Sequence, residues 1–404
     1  MRLSWPMRPL SDHPLAMTPP VHPFLLSTLL SEDNATPSNV EDWGRILADA
    51  AAHRLEPFLY QRLAALDLLH SLPSGCHKQL RRTMMDSAAR NLLLRECLRV
   101  ILGAFAHRGL RVVPLRGPAL AKRLYGDAGD RPTDDLDLLV RRDDLPAVAA
   151  ALRDLGFSEI ERRQDFARTF SYYSLEFIHP EHGAVVEPHW TLAYPPLTDR
   201  LDMEAVWSRC VSRQIRGVPT WTLHPVDEVL HLCAHIAHRG DQAPLLWAYE
   251  LDLLIRKEQE QLDWTELVRR ARASGQGSLV GRVCVRLRAL FATPIPDVVN
   301  AQLAAPDPDR AESWRGNAVD RLLLQSHLPA REQFAQFLRL ERLGTKVRYA
   351  SALLFPAPTY MQRRYGLTRR RQLPGAYLRR AGAIAWEGLR TLAAVTFAAG
   401  PLRR

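Results

Sequence analysis

The chain has 404 residues, enough for two or three domains and a real hydrophobic core. Charged residues make up 24% and hydrophobic ones 47%, which excludes a low-complexity, collagen-like or disordered polypeptide. No charge-free apolar run reaches the length of about 18 residues that a membrane span needs, and the N-terminus lacks the apolar segment of a signal peptide. The five cysteines (Cys76, Cys97, Cys210, Cys233 and Cys284) are scattered and form no CxxC pair, so a reduced, cytoplasmic setting is expected.

The net charge of +10 is unevenly spread. Residues 361–404 hold ten arginines, no lysine and a single acid, Glu387, and so carry +9. The rest of the chain is close to neutral.

Residues 1–22 are Pro-rich and polar and read as a disordered arm. Residues 23–108 form an N-terminal helical region. Trp43, Ile46, Leu47 and Ala50 recur at helical spacing, and a long helix is predicted from about His77 to His107, ended by Gly109.

The candidate catalytic core spans residues 109–200. Val112–Leu115 is a short apolar run, and Pro114 within it demands an edge or distorted strand. Arg116-Gly117-Pro118 follows. Pro118 suits the first turn of a helix, Gly117 lets a ligand approach the backbone, and a basic residue beside a helix N-terminus suits phosphate. Asp135-Leu136-Asp137-Leu138-Leu139-Val140 then reads as a strand. Side chains alternate along it, so Asp135 and Asp137 project together while Leu136, Leu138 and Val140 face a core. Two carboxylates so close raise each other's pKa unless a cation lies between them, and hard Mg²⁺ prefers such oxygens. On its own an Asp-x-Asp at a strand start is more often a solvated loop end; the strand, Gly turn and helix before it tip the balance.

Asp143 is placed to cap a helix that presents Leu145, Val148, Ala149, Leu152 and Leu155 and ends at Gly156. Phe170–Ile178 and Ala184–Leu192, joined by His179-Pro180-Glu181-His182-Gly183, read as a hairpin. In its second strand Val185, Glu187, His189 and Thr191 share one face.

Residues 201–345 read as a C-terminal helical region. His231, His235 and His238 lie on one helix, where an i, i+4 pair can bind zinc. No HExxH glutamate accompanies them, so a satisfied core or a cleft-lining position, with His235 or Asp252 at the cleft, is the stronger expectation. Residues 346–404 form a basic tail, with an Ala-rich helix over Ala376–Ala399. Nucleic acid, a membrane surface, a partner protein and plain solvent are all compatible with it.

The central segment resembles the uncharacterised nucleotidyltransferases of the DNA polymerase beta-like superfamily. Their pattern is an apolar strand ending in Lys-Gly, a helix with a Tyr, an Arg, then Asp-Ile-Asp-Leu-Leu-Val. Here these positions are Arg116-Gly117, Tyr125, Arg131 and Asp135 to Val140, with Arg116 in place of the lysine. The resemblance runs from about Trp43 to about Tyr365. It implies an α+β fold, a small mixed-sheet nucleotidyltransferase core flanked by N-terminal and C-terminal helical regions. It also implies a third carboxylate in an acid-x-His-Trp run, here Glu187-Pro188-His189-Trp190. The activity implied is transfer of NMP from an NTP, with ATP the first candidate, to a small-molecule, protein or RNA acceptor, releasing pyrophosphate. Asp135, Asp137 and Glu187 would hold two Mg²⁺ ions, or Mn²⁺, while Arg116, Gly117 and Arg131 would bind the nucleotide. A non-catalytic nucleotide-binding protein, or a nucleic-acid or membrane-surface adaptor on the same fold, is the alternative.

Overall fold

A computed structural model describes residues 21–30, 43–125, 131–160, 173–194, 197–305, 334, 337–338, 340, 342–367 and 369–397. The expected N-terminal arm lies outside these, apart from Val21 and His22.

The lead-in consists of α1 (Pro23–Leu30), α2 (Trp43–His53), α3 (Glu56–Ala65) and α4 (Ser74–His107). The predicted stripe of Trp43, Ile46, Leu47 and Ala50 is the buried face of α2. At 34 residues, α4 is about 50 Å long. Its second half buries Leu94, Leu98, Ile101, Leu102 and Phe105. It stops where Gly109 turns left-handed at φ +67°.

The sheet follows, formed by β1 (Val112–Pro114), β2 (Asp135–Val140), β3 (Ser158–Glu159), β4 (Phe177–Ile178) and β5 (Val185–His189). Helices α5 (Pro118–Tyr125) and α6 (Leu145–Asp154) lie between these strands in the chain. The strand order is β1-β2-β5-β4-β3. β2 and β5 run parallel, with α6 in the crossover that a parallel pair requires, and the other pairs are antiparallel. This is the small mixed sheet that was expected. Pro114 sits on the edge strand, as its missing N–H dictates. The expected hairpin is the β4–β5 pair, turning through Gly183 at φ +65°. One local expectation fails. Asp143 lies in a 3-10 turn, Arg142–Asp144, ahead of α6, and Asp144 at the N-cap position makes no side-chain capping bond. Pro146 in the first turn starts this helix instead.

Beyond the sheet come α7 (Met203–Arg209), β6 (Val211–Ile215), β7 (Val218–Thr222), α8 (Pro225–Arg239), α9 (Leu245–Lys257), α10 (Trp264–Ala273), α11 (Gly277–Phe291) and α12 (Asp297–Ala304). The β6–β7 hairpin interrupts the otherwise helical region expected over residues 201–345. Its two-residue turn is Arg216-Gly217, both with positive φ (51° and 79°), the geometry that matches strand twist. Arg-Gly is a weak turn signal and Pro219 disguises the second strand. The hairpin covers β1: the Thr220 hydroxyl donates to the Val112 carbonyl at 3.0 Å, and Arg111 lies 3.9 Å over the Trp221 ring. The tail holds α13 (Leu343–Leu354), α14 (Pro358–Tyr365) and α15 (Leu373–Phe397). No helix among the described residues is long and apolar enough to cross a membrane.

The two faces of the sheet have different fates. Leu136, Leu138, Val140, Val186 and Phe177 pack with α4 and α6. On the opposite face Val113 and Leu139 join Val206, Trp207 and Leu223. A separate, larger core joins the two helical regions across the sequence gap. Phe24, Ile46 and Leu59 share it with Val229, Leu251 and Leu287.

Candidate active site

The alternation in β2 decides where its acids go. With Leu136, Leu138 and Val140 buried against α4 and α6, Asp135 and Asp137 must point to the other face. The parallel register sets Asp137 against Glu187 and Leu139 against His189. Glu187 and His189 are two residues apart, so they share that face. Asp137 is buried, Glu187 is about one-quarter exposed, and His189 is buried. The His189 Nε2 lies 2.9 Å from Asp137 Oδ1 and 3.8 Å from Glu187 Oε2. Ser174 Oγ donates to Glu187 at 3.5 Å.

Arg116 enters from the turn between β1 and α5. Its Nη2 lies 2.5 Å from Asp137 Oδ2, and its Nη1 donates to His235 Nε2 on α8. With Nε2 accepting, the proton of His235 sits on Nδ1, which donates to the Tyr194 oxygen at 2.8 Å. The Trp247 ring of α9 lies against His235, 3.9 Å between centroids. The line Asp137–Arg116–His235–Tyr194 thus ties the sheet to the C-terminal helices.

The charges divide the acids into two kinds. Burial works to raise the Asp137 pKa, but Arg116 and the hydrogen bond from His189 prevail and hold it well below the ordinary carboxylate range. Asp135 goes the other way, pushed up to about 6 by burial and by Asp137. Glu187 is pushed up to about 7 by burial, then by Asp137. Arg116 and His189 together outweigh burial only at Asp137; at Asp135 Arg116 and Arg54, and at Glu187 His189, do not. Burial and Arg116 together keep His231 and His235 neutral, His231 lowered to about 3.

Among the described residues, the group whose ligand atoms all lie within 4.8 Å of one another is Asp137, Glu187 and His189. Two of the three carboxylates expected from the sequence are therefore brought together, and His189 joins them in place of Asp135. The signal for His189 was already in the chain, since it alternates onto the same face as Glu187. Asp135 stays electrostatically coupled to Asp137 and Arg116 but stands outside that spacing.

Gly117 is left-handed at φ +62°, and what crowds it is its own chain. A Cβ there would meet Thr133 Cγ2 at 3.1 Å and the Asp135 carbonyl at 3.4 Å. Arg131 is engaged with the protein. It forms a bidentate pair with Glu250 of α9, at 2.5 and 3.0 Å, and both are buried. The segment 131–135 is clamped further. Asn91 donates to the Arg131 carbonyl at 2.8 Å, Arg90 to the Asp134 carbonyl at 2.8 Å, and Arg54 pairs with the Asp134 carboxylate at 2.7 Å. These three residues of the N-terminal region were not singled out from the sequence, because nothing local marks them.

The His231, His235 and His238 helix lies beside the site, but its imidazoles have other tasks. His231 Nδ1 is 3.3 Å from the Leu192 carbonyl, His235 bridges Arg116 and Tyr194, and His238 stacks on Tyr194 at 4.3 Å. His235 is therefore a satisfied core histidine, buried and bonded through both ring nitrogens. Asp252 is taken up by Arg256 and Thr293, at 2.9 and 2.7 Å.

The site is thus a mixed sheet that gathers carboxylates from two parallel neighbours, behind a left-handed Gly turn and a helix. The family described as uncharacterised nucleotidyltransferase matches residues 39–292, more than half of the chain, and the chain belongs to that family. The match takes in the sheet and the helices from α2 to α11 and stops well short of Tyr365. Comparison with curated proteins and with solved structures returned no match.

Proposed function

We propose that the chain catalyses metal-dependent transfer of NMP from an NTP, ATP first among the candidates, to a hydroxyl or phosphate acceptor, releasing pyrophosphate. The observation that carries this reading is the register of β2 against β5, which pairs Asp137 with Glu187 on the face shared by His189.

The residues present fit a divalent cation. Two carboxylates and an imidazole offer ligand atoms within one coordination sphere's reach, and Asp135 lies on the same strand face. Burial first, and then Asp137, holds the Asp135 and Glu187 carboxyls up at about 6 and 7. In this reading Asp137, Glu187 and His189 hold one Mg²⁺ or Mn²⁺ ion, and Asp135 with Asp137 a second. Bound metal would neutralise the triphosphate, activate the acceptor oxygen and offset charge on the departing pyrophosphate.

The chain's own groups supply the rest. Glu187, the more exposed acid, faces the acceptor and takes its proton. Arg116, in the turn before α5, is the guanidinium that would meet phosphate oxygens at that helix's N-terminus if a cation took its place on Asp137. Arg131, held by Glu250, presents the Asp135–Asp137 strand and acts by positioning it.

Arg116 already neutralises Asp137, which favours a second reading, a nucleotide-binding protein that transfers nothing. One experiment separates the two. The purified chain is incubated with each α-radiolabelled NTP and Mg²⁺ or Mn²⁺ in cell extract, beside Glu187→Gln. Label transfer with pyrophosphate release, lost in the variant, is the expected result. NTP binding without release in either protein selects the second reading.

A further inference from the structure

The last helix has two unlike faces. Ala376, Arg380, Gly388 and Thr391 of α15 are turned inward. Arg380 Nε donates to the Leu353 carbonyl at 2.7 Å, and the Tyr377 hydroxyl to the Pro356 carbonyl at 2.6 Å. A Cβ on Gly388 would meet Phe334 at 3.1 Å. The outward face is apolar. Leu378, Trp386 and Leu389 are 76%, 64% and 62% exposed, and Gly382 lies between them. At 3.6 residues per turn these four positions fall within about 80° of arc. No carboxylate lies in the stripe, and the exposed Arg379 and Arg390 run along one of its edges.

We propose that α15 docks on the surface of a membrane containing anionic lipid, lying in the headgroup plane with Leu378, Trp386 and Leu389 in the acyl boundary. The charge of the segment selects this occupant. Residues 361–404 carry ten arginines against one acid, and Arg364, Arg369, Arg370 and Arg371 are exposed just before the helix. An apolar stripe bordered by arginine, with a tryptophan in it, matches an anionic interface. A second copy of the chain would bring two arginine-rich borders together, which like charge opposes. A nucleic-acid backbone would use the arginines and leave the stripe in water. At 25 residues the helix is long enough for a span but not apolar enough, so it lies on the bilayer.

The test is flotation of the full-length protein with vesicles of phosphatidylcholine alone or of phosphatidylcholine with phosphatidylglycerol, at about 0.1 M salt. Flotation with the anionic vesicles only is expected. Replacing Leu378, Trp386 and Leu389 with Ser should weaken binding by at least on the order of a hundredfold. Arg379→Gln with Arg390→Gln should weaken it about 30-fold, and Trp386→Phe should retain it. All positions are exposed, so the circular dichroism melting curve should stay unchanged. The proposal is overturned if wild type fails to float with anionic vesicles, or if the serine variant floats as well as wild type. It is also overturned if the stripe instead controls a dimer in vesicle-free solution.

Discussion

Arg116 and Asp137 form a buried ion pair, 2.5 Å apart, with side chains 13% and 3% exposed. The guanidinium stands where the strand's inner carboxylate most needs a positive charge, and a divalent cation would compete for the same oxygen. Removing one partner of a buried pair leaves the other charge uncompensated, at about 3–5 kcal/mol. Arg116→Met should therefore lower the stability of the metal-free protein by about that amount. Added Mn²⁺ should restore more stability to the variant than it adds to wild type, because in the variant the ion alone neutralises Asp137. Thermal melts with and without Mn²⁺ check this; equal metal effects in both proteins would separate Arg116 from the metal site. Arg116→Lys keeps the charge but cannot reach Asp137 and His235 together, so it should fall between the two.

How much of this was readable depends on the range over which each signal acts. The Asp135–Val140 alternation is a local pattern, and it gave the strand, its buried face and the direction of both acids. Pro114 announced an edge strand because a missing N–H is a local fact. What could not be read is non-local or rests on weak local cues. The Arg131 and Glu250 side chains pair across 119 positions, so a phosphate-binding role for Arg131 could not be weighed against this partner. The common core of the N- and C-terminal helices is equally invisible to a window reading. The β6–β7 hairpin was hidden by Pro219 and by a turn sequence that few hairpins use.

Glu187 gives a pH-dependent prediction whose sign is opposite to that of a salt-bridged acid. Its carboxyl titrates at about 7 in the fold, against an ordinary value of 4.5. Between those values the folded state binds more protons than the unfolded one. The metal-free protein should therefore gain stability as pH falls from above 7 toward 4.5, with the full penalty present above 7. Glu187→Gln removes that penalty. The variant should exceed metal-free wild type by on the order of 3 kcal/mol at pH 8, with the gap closing by about pH 4.5. Denaturant melts across this range test it, and a gap independent of pH would refute the assignment. Divalent metal should erase the advantage by stabilising only wild type, and its binding should release protons near neutral pH.

His189 can be a ligand in its own right or the group that orients Asp137, from which it stands 2.9 Å. An imidazole among carboxylates shifts preference from Mg²⁺ toward the transition metals. His189→Gln should weaken Mn²⁺ by about ten- to a hundredfold and Mg²⁺ by less. In wild type, electron spin echo spectra of bound Mn²⁺ should carry modulation from an imidazole nitrogen, and the variant should lack it. Wild-type spectra without that modulation would confine His189 to positioning Asp137.

The Arg131–Glu250 pair separates a structural role from a phosphate-binding one. Both side chains are buried and joined by two hydrogen bonds, at 2.5 and 3.0 Å, and the Arg131 main chain is the acceptor for Asn91. Arg131→Met or Glu250→Met alone should each cost about 3–5 kcal/mol, since each strands a buried charge. The double variant should recover most of that loss, because two apolar side chains of similar length need no partner. A nucleotide-binding arginine would behave differently: its loss would lower NTP affinity while stability stayed near wild type, and removing Glu250 as well would rescue nothing. A double-mutant cycle in urea, run beside NTP titrations of all four proteins, decides between them. Strong coupling in stability, with NTP binding in the double variant close to wild type, is the outcome expected if Arg131 serves to hold Asp135 and Asp137 in place.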